Sequence, residues 1–154
     1  MTNYRPDGYS TLTPMIVVTD GPAAIAFYED VFGAEVVARM AGPGGEIWHC
    51  EMQLESGRFQ LMDANDAYRM ITLDTADDAV PYSLAIYVSD CDATVAKAEA
   101  AGATVREPLG DFDVTGDRFA SIRDPFGVRW TVMTRKVAKT DAEIQAGLDA
   151  MAAG

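Results

Sequence analysis

The sequence predicts an α+β fold made of two tandem βαβββ modules, and an internal repeat is the main reason. Val18-Thr19-Asp20, at the end of an apolar run, returns as Val88-Ser89-Asp90 about 70 residues later. Each Asp is followed by a helix-like stretch that ends in Gly-Ala-x-Val, at 33–36 and at 102–105. The turn glycines Gly57 and Gly127 keep nearly the same offset. One structural unit is therefore used twice, and the seam between two units is a frequent location for a ligand.

The first copy has the pattern of a strand, a helix and three strands. Residues 12–18 are apolar and β-branched, which is typical of a strand. Asp20 is a candidate helix N-cap with Pro22 in the first turn, and Gly33 supplies the left-handed residue that ends the helix. Strands are then predicted over 36–40, 46–54 and 58–62, with a tight turn at Ser56-Gly57 between the last two.

The second copy repeats this order. It predicts a strand over 82–88, a helix over about 92–101 that Gly102 closes, and strands over 104–106, 118–123 and 128–134. Asp124-Pro125-Phe126-Gly127 forms the hairpin turn, because Pro and Gly occupy places that a type I turn accepts.

The predicted organisation is a single domain over residues 1–154. Its parts are module one at about 10–63, a connector at 64–80, module two at about 81–135 and a C-terminal helix at about 141–152. A connector of this length is usually either disordered or functional, for example as a lid over a pocket. Thr140 and Glu143 have capping-box spacing, and the apolar stripe of the helix that follows should pack on the body or on a second subunit.

Alternation along the strands sorts the side chains onto two faces of each sheet. A two-residue loop at Ser56-Gly57 pairs Glu51 with Met62 and Gln53 with Gln60. The faces expected to pack under the helices carry Trp48, Cys50, Met52, Leu54, Phe59 and Leu61 in copy one, and Leu84, Ile86, Val88, Val128, Trp130 and Val132 in copy two. The opposite faces mix polar, methionine and aromatic side chains, which is typical of a small-molecule site.

Composition excludes several classes of partner. The net charge of -12 and the pI near 4.3 argue against nucleic acid and anionic membranes, and leave a cationic ligand as the alternative to simple solubility. No apolar run reaches the roughly 20 residues of a membrane span, and the N-terminus lacks a signal-peptide pattern, so a cytoplasmic location is expected. Cys50 and Cys91 have no metal or disulfide spacing and are expected to be reduced.

Several motifs resemble the vicinal oxygen chelate superfamily of glyoxalase, bleomycin-resistance and extradiol-dioxygenase proteins, and within it the PhnB-like glyoxalase branch. The motifs are Leu12-Thr13-Pro14, Ala24-Ile25-Ala26-Phe27-Tyr28 before Phe32-Gly33-Ala34-Glu35, Trp48-His49-Cys50-Glu51, and Gly116-Asp117-Arg118 before Arg123-Asp124-Pro125-Phe126-Gly127. The resemblance spans about residues 10–135. It implies a glyoxalase/bleomycin-resistance fold, whose curved mixed sheets enclose a cavity, usually in a homodimer.

The resemblance also implies where a metal would bind. Metal-using members take four ligands, typically His or Glu, from the first and last strands of each module. The alignment of the two copies puts Thr13, Gln60, Ser83 and Thr131 at those places, and none is a strong ligand for a catalytic divalent metal. We therefore expect no metal and no other cofactor. The alternative is a metal site that combines the single histidine, His49, from two subunits.

These observations favour a metal-independent protein that binds an aromatic or amphipathic small molecule, with resistance by sequestration as its role. Candidate ligand-binding residues are Thr13, Met15, His49, Glu51, Gln60, Met62, Ser83, Tyr87, Arg129, Thr131 and Met133. The alternatives are a glyoxalase-like lyase or isomerase, or a metal-dependent vicinal oxygen chelate enzyme. In the lyase or isomerase, His49 and Glu51, two residues apart on one strand, are the candidate catalytic pair for proton transfer.

Overall fold

The fold is that of a computed structural model of the chain, which describes residues 4–153. Residues 1–3 and 154, the ends of the predicted domain, lie outside the described residues. The chain forms two compact units. Unit 1 comprises the described residues up to Val80 together with Pro125–Val128, and unit 2 comprises Pro81–Asp124 and the described residues from Arg129 onward.

Unit 1 contains the first predicted βαβββ module. Its elements are β1 (Met15–Val18), α1 (Gly21–Phe32), β2 (Glu35–Ala41), β3 (Ile47–Gln53) and β4 (Arg58–Asp63). The strand order is β1-β4-β3-β2, in which β1 runs parallel to β4 and the other pairs are antiparallel. A short 3₁₀ turn, Asp66–Tyr68, follows β4.

Unit 2 repeats the arrangement. Its elements are β5 (Leu84–Tyr87), α2 (Cys91–Ala100), β6 (Thr104–Phe112), β7 (Asp117–Arg123), β8 (Arg129–Arg135) and α3 (Asp141–Ala152), with the strand order β5-β8-β7-β6. Two mixed four-stranded sheets with three helices confirm the predicted α+β fold. β6 is longer than the predicted 104–106, because an edge strand tolerates the Pro108 and Gly110 that it contains.

The helix boundaries follow from local chemistry. Asp20 and Asp90 are the N-caps of α1 and α2, and each side chain accepts a hydrogen bond from a backbone N–H three residues ahead, at 3.0 Å. α1 ends at Gly33, whose φ is 63°. Thr140 and Glu143 form the predicted capping box at the start of α3. No helix within residues 4–153 is long and apolar enough to cross a membrane.

The core of each unit lies between its helix and its sheet. In unit 1 the fully buried Tyr28 of α1 meets Phe59 of β4 edge-to-face, with ring centroids 5.3 Å apart. In unit 2 Val95 of α2 and Ile122 of β7 are buried. Trp130 of β8 is also buried, and its Nε1 donates to Asp124 Oδ2 at 2.9 Å, which satisfies the indole.

The β3–β4 hairpin differs from its predicted register. Gln53 pairs with Arg58 and Glu51 with Gln60, so the loop has four residues, 54–57, and not two. A hydrogen bond from Leu54 N to Gly57 O, at 3.1 Å, closes it. The register is shifted by two residues, and a shift by an even number does not exchange the two faces of a strand.

The prediction that Trp48 lies on the face packed under the helix is wrong. Its side chain is 52% exposed, and the neighbouring Ile47 is completely buried. The β2–β3 pairing passes from Met40 opposite His49 to Ala41 opposite Ile47, so a bulge at Trp48 interrupts the alternation. Ile47 occupies the core position, and the indole of Trp48 lies on the side of the sheet that faces away from the core.

Candidate functional site

Polar side chains of β3 and β4 share one face of the sheet in unit 1, which we call the polar face. It carries His49, Glu51, Gln53, Arg58, Gln60 and Met62, the set that alternation predicts. Phe59 and Leu61 are buried on the opposite side. Met15 joins the polar face from β1, because it pairs with Gln60 while Ile16 beside it is buried.

His49 and Glu51 are in direct contact at the centre of this face. His49 Nε2 lies 3.3 Å from Glu51 Oε1, and both side chains are about four-fifths buried. A hydrogen bond from Tyr9 lowers the pKa of Glu51, and His49 and Arg58 contribute in the same direction, against a smaller desolvation effect that raises it. Glu51 is therefore ionised at neutral pH.

Arg58 holds the neighbouring part of the polar face in place. Its Nε donates to Gln53 Oε1 at 2.7 Å, and Gln53 Nε2 donates to the carbonyls of Leu54 and Gly57 at 2.6 and 2.9 Å. The side chain of Gln53 thus fastens the hairpin loop to Arg58. The guanidinium also lies 4.8 Å from the centroid of the Tyr9 ring, a cation–π distance.

Sequence reasoning did not identify Tyr9 as a site residue. Tyr9 lies in the segment before β1, where no strand or helix periodicity fixes the direction of a side chain. Arg58 was placed on the correct face but was not among the candidate ligand-binding residues. Only the tertiary path of the N-terminal segment brings the phenol to Glu51 and Arg58.

Replacing Tyr9 by phenylalanine should raise the pKa of Glu51, because the largest interaction that favours the carboxylate is lost. Glu51 has a lowered pKa in the folded state, so its contribution to stability is present above the unfolded pKa and is lost as the pH falls through the folded pKa. In Tyr9→Phe this loss should be smaller and should be complete at a higher pH, because the folded-state pKa of Glu51 lies closer to its unfolded value. Carboxyl ¹³C NMR titration measures the shift; an unchanged pKa in the variant would contradict it. Tyr4→Phe, at a tyrosine that is 88% exposed, is the control.

A pocket in unit 1 is lined by Met62 of the polar face together with Trp48, Asn65 and Tyr68. Its volume is about 390 Å³, within the range of small-molecule sites. Trp48 and Tyr68 are 52% and 75% exposed, whereas Met62 is buried. Two aromatic surfaces and an apolar side chain are thus available to one ligand. The sequence did not indicate Trp48, Asn65 and Tyr68 as site residues. Trp48 reaches the pocket because of the bulge in β3, and Asn65 and Tyr68 belong to the connector, which has no regular alternation.

The start of the connector is shaped by Asn65. Its Oδ1 accepts from Ala67 N at 3.0 Å, and an isolated bridge joins it to Met70. Backbone bonds between Asn65 and Met70 in both directions, at 2.9 and 3.0 Å, close the turn that carries Tyr68. The connector therefore contributes to the wall of the pocket.

The candidate residues of the second copy share one face of the sheet in unit 2. They are Ser83, Tyr87, Arg129, Thr131 and Met133. Ser83 Oγ lies 3.3 Å from Thr131 Oγ1 and donates to the Arg129 carbonyl at 3.3 Å. Tyr87 pairs with Met133 and is 56% exposed.

The positions at which the resembled family binds a metal do not fit a catalytic divalent ion. In unit 1 they are Thr13 and Gln60, and in unit 2 they are Ser83 and Thr131, whose hydroxyls are in contact with each other. Hydroxyl and amide oxygens lack the charge and basicity of the carboxylate and imidazole ligands that such ions prefer. Within residues 4–153 no group of three or more His, Cys, Asp and Glu side chains is arranged to hold a metal ion.

Comparison with known proteins agrees with the motifs. The family model of the Glyoxalase/Bleomycin resistance protein/Dioxygenase superfamily matches residues 11–132. The uncharacterized protein Mb0911c of Mycobacterium bovis is 32% identical over 147 residues, 93% of this chain and 95% of that protein. TioX of Micromonospora sp. ML1 has a similar fold, with a TM-score of 0.64 and 25% identity, over 82% of this chain and 98% of that chain. A PhnB protein of Bacillus cereus shares the fold with a TM-score of 0.61 and 20% identity, over 81% and 99% of the two chains. The chain belongs to the glyoxalase/bleomycin resistance protein/dioxygenase superfamily.

Proposed function

We propose that the protein binds an aromatic or amphipathic small molecule in the pocket of unit 1, without a metal ion, and that sequestration of this molecule is its role. The observation that carries the proposal is the exposure of Trp48 and Tyr68 on the walls of one pocket. A planar ligand that covers these two side chains gains apolar burial and aromatic stacking.

Charge on the same face favours a ligand that is neutral or carries a cationic group. Glu51 is ionised, and the net charge of -12 raises the local concentration of cations around the chain. The faces of Trp48 and Tyr68 also attract a cation through their π-systems. Asn65 supplies a side-chain amide at the edge of the pocket, which orients a polar substituent.

Tryptophan fluorescence tests the proposal directly, because the two tryptophans differ in environment. Trp48 is half exposed in the pocket, whereas Trp130 is buried and hydrogen-bonded to Asp124. Titration with planar acridinium cations and with neutral naphthalene derivatives should give a saturable change of the Trp48 emission. The same change should disappear in Trp48→Phe, in which Trp130 is the remaining fluorophore.

Affinity should depend on Tyr68 and not on a tyrosine elsewhere. Calorimetric titration of Tyr68→Ala should show binding that is about tenfold weaker, because one stacking surface is lost. Tyr4→Ala is the matched control, since Tyr4 is as exposed as Tyr68 but does not line the pocket. Equal affinities in the two variants, or no saturable binding by any compound of either kind, would contradict the proposal.

The metal-free part of the proposal has its own test. Elemental analysis of protein purified without a chelator should find less than stoichiometric divalent metal, and treatment with EDTA should leave ligand affinity unchanged. One equivalent of bound metal would overturn it. It would also favour the alternative in which two subunits contribute His49 to a metal site.

A second candidate function is a glyoxalase-like lyase or isomerase, which the contact between His49 and Glu51 favours. At 3.3 Å the imidazole and the carboxylate are close enough to exchange a proton, and both groups remain partly accessible. In this function the pair transfers a proton at the carbon next to a carbonyl group. Incorporation of solvent deuterium into α-hydroxy ketones and aldehydes measures this step. It should vanish in His49→Ala and in Glu51→Gln; incorporation that persists in both variants, with the fold intact, would exclude the pair.

We also propose that the protein is a cytoplasmic homodimer. The family resemblance supports the assembly, and β2 is an edge strand whose residues are all exposed, among them Val36, Val37 and Met40. Light scattering coupled to size-exclusion chromatography measures the mass of the assembly, and fractionation of cells measures the location. A monomeric mass at all micromolar protein concentrations would contradict the proposed homodimer.

A further inference from the structure

The segment before β1 reaches the polar face of unit 1 through a turn. We call residues 4–12 the strap; they form no helix or strand, and all of them except Tyr9 are exposed. The turn runs from Pro6 to Tyr9, and a hydrogen bond from Tyr9 N to Pro6 O closes it at 3.4 Å. Gly8, with a φ of +82°, supplies the left-handed residue in the turn. The strap therefore presents the side chain of Tyr9 to the sheet.

Tyr9 contacts two side chains of opposite charge on the polar face. The guanidinium of Arg58 lies over the phenol ring, 4.8 Å from its centroid. The phenol hydroxyl donates a hydrogen bond to the carboxylate of Glu51. The two charged side chains are only 17% and 20% exposed. A ring under a cation, with a hydroxyl that donates to an anion, is the arrangement in which a protein recognises a neutral phenol.

The two charged groups are held in place by the sheet and not by the strap. Arg58 Nε donates to Gln53 Oε1 at 2.7 Å, and Arg58 Nη1 lies 3.8 Å from Glu51 Oε2. His49 Nε2 lies 3.3 Å from the other carboxylate oxygen of Glu51. All four residues belong to β3 and β4. If the strap moves away, the guanidinium and the carboxylate therefore remain in position for another phenol.

The strap can leave the sheet at a low cost in free energy. Its exposed residues bury little surface, with Tyr4 and Leu12 88% and 80% exposed, and they gain conformational freedom on release. Segments of this kind open locally without unfolding the rest of the molecule. Tyr9 also lies before residue 11, where the match to the family model begins. Its contact with Glu51 and Arg58 is therefore an addition to the conserved part of the fold.

We propose that Glu51 and Arg58 form a binding site for neutral phenols, that Tyr9 occupies this site in the free protein, and that a phenolic ligand displaces the strap. The hydroxyl of the ligand donates to Glu51, and its ring takes the place of the Tyr9 ring under Arg58. A phenol has a pKa of about 10 and keeps the proton that this contact requires at neutral pH. The proposal does not rest on the function proposed for the pocket that contains Trp48.

The test is an NMR titration of the full chain with 4-hydroxybenzyl alcohol and, separately, with 4-methoxybenzyl alcohol, which has no phenolic proton to donate. The phenol should shift the Nε–H signal of Arg58 and the ring signals of His49 in a saturable way. The methyl ether should bind at least about tenfold more weakly, because the acceptor Glu51 is then left without its donor. No saturable shift with the phenol, or equal affinity for the two compounds, would overturn the proposal.

The same titration tests displacement of the strap. The heteronuclear NOE values of the Gly8 and Tyr9 amides should fall on saturation with the phenol, as in a mobile segment. Values that stay unchanged at saturation would show that the phenol binds without displacing Tyr9, and would contradict the proposal. Trp48→Phe should leave the affinity and the shifts at Arg58 unchanged. Loss of these shifts in that variant would assign the binding to the pocket that contains Trp48.

Variants of Tyr9 measure how strongly the strap competes with the ligand. Tyr9→Ala removes the occupant and should strengthen phenol binding about tenfold, which corresponds to a strap that is closed in about nine of ten molecules. Tyr9→Phe keeps the ring but not the hydroxyl and should give a smaller gain. Tyr4→Ala is the matched control and should leave affinity unchanged, since Tyr4 is 88% exposed. Equal affinities in Tyr9→Ala and Tyr4→Ala would overturn the proposal.

Glu51→Gln tests the acceptor of the phenol. It retains a side-chain oxygen but removes the negative charge, so phenol binding should weaken about tenfold through the loss of a charge-assisted hydrogen bond. The comparison is made in the Tyr9→Ala background, where the strap no longer competes. Unchanged affinity on adding Glu51→Gln to Tyr9→Ala would show that the phenol does not bind at Glu51.

Discussion

Replacing Asp63 by alanine should lower the free energy of unfolding by about 3–5 kcal/mol, because two charge-assisted hydrogen bonds are lost together. Asp63 ends β4, and its carboxylate accepts from Gly21 N at 2.7 Å and from Ile47 N at 2.6 Å. Gly21 is the first residue of α1, so the carboxylate satisfies a free N–H at the positive end of the helix. Ile47 begins β3 beside the bulge at Trp48. One side chain thus joins the last strand, the helix and the strand that carries His49 and Glu51.

Denaturant unfolding measures the loss, and two further variants define its origin. Asp63→Asn keeps one carbonyl oxygen and should lose about half as much stability. Asp20→Ala removes the exposed N-cap of the same helix and should cost only about 1 kcal/mol. A cost for Asp63→Ala no larger than that of Asp20→Ala would show that the two hydrogen bonds contribute little.

Replacing Gly116 by alanine should cost about 2–5 kcal/mol, through two separate effects. Gly116 has a φ of +77°, which costs an L residue about 1–2 kcal/mol. A Cβ at this position would also lie 2.3 Å from the carbonyl oxygen of Val137, a backbone atom that has no rotamer to adopt. The approach is close because Gly116 O accepts from the N–H groups of Lys136 and Val137, at 2.9 and 3.0 Å. In the Gly116→Ala variant, the turn before β7 must therefore move away from the segment after β8.

Gly57→Ala is the matched control for this variant. Gly57 has a φ of +84°, but a Cβ would meet no atom within 4 Å, so only the backbone penalty applies. The difference in unfolding free energy between the two variants measures the steric contact with Val137, which we expect to be about 1–3 kcal/mol. Equal costs would show that the chain near Val137 moves away freely.

The sequence predicted the elements well wherever local chemistry determines them. The cap at Asp20, the capping box at Thr140 and the left-handed Gly33 act over a few residues, and each is where the sequence places it. The division of the strands into two faces also holds except at Trp48, because alternation is a property of the extended chain itself. These local signals, repeated in two copies, were sufficient for the α+β fold.

The errors occur where a pairing between strands overrides the local pattern. The loop between β3 and β4 has two more residues than the tight turn that Ser56-Gly57 suggests, because Gln53 and Arg58 bond across its base. The alternation of β3 would bury Trp48, but the pairing with β2 omits that residue and buries Ile47. A bulge depends on how a strand pairs with its neighbour, and the sequence of one strand does not reveal it.

By itself, the sequence determined the repeat, the composition of the polar face and the absence of strong metal ligands at the four positions that the family resemblance marks. These depend only on residue identity and on the period of a strand. The tertiary structure alone decided which aromatic side chains meet at a pocket, and that Tyr9 reaches Glu51. It also brought the guanidinium of Arg118 into contact with Asp92 and Asp111. Contacts of this kind join residues far apart in the chain, and their distances follow from the packing of whole elements and not from any local pattern.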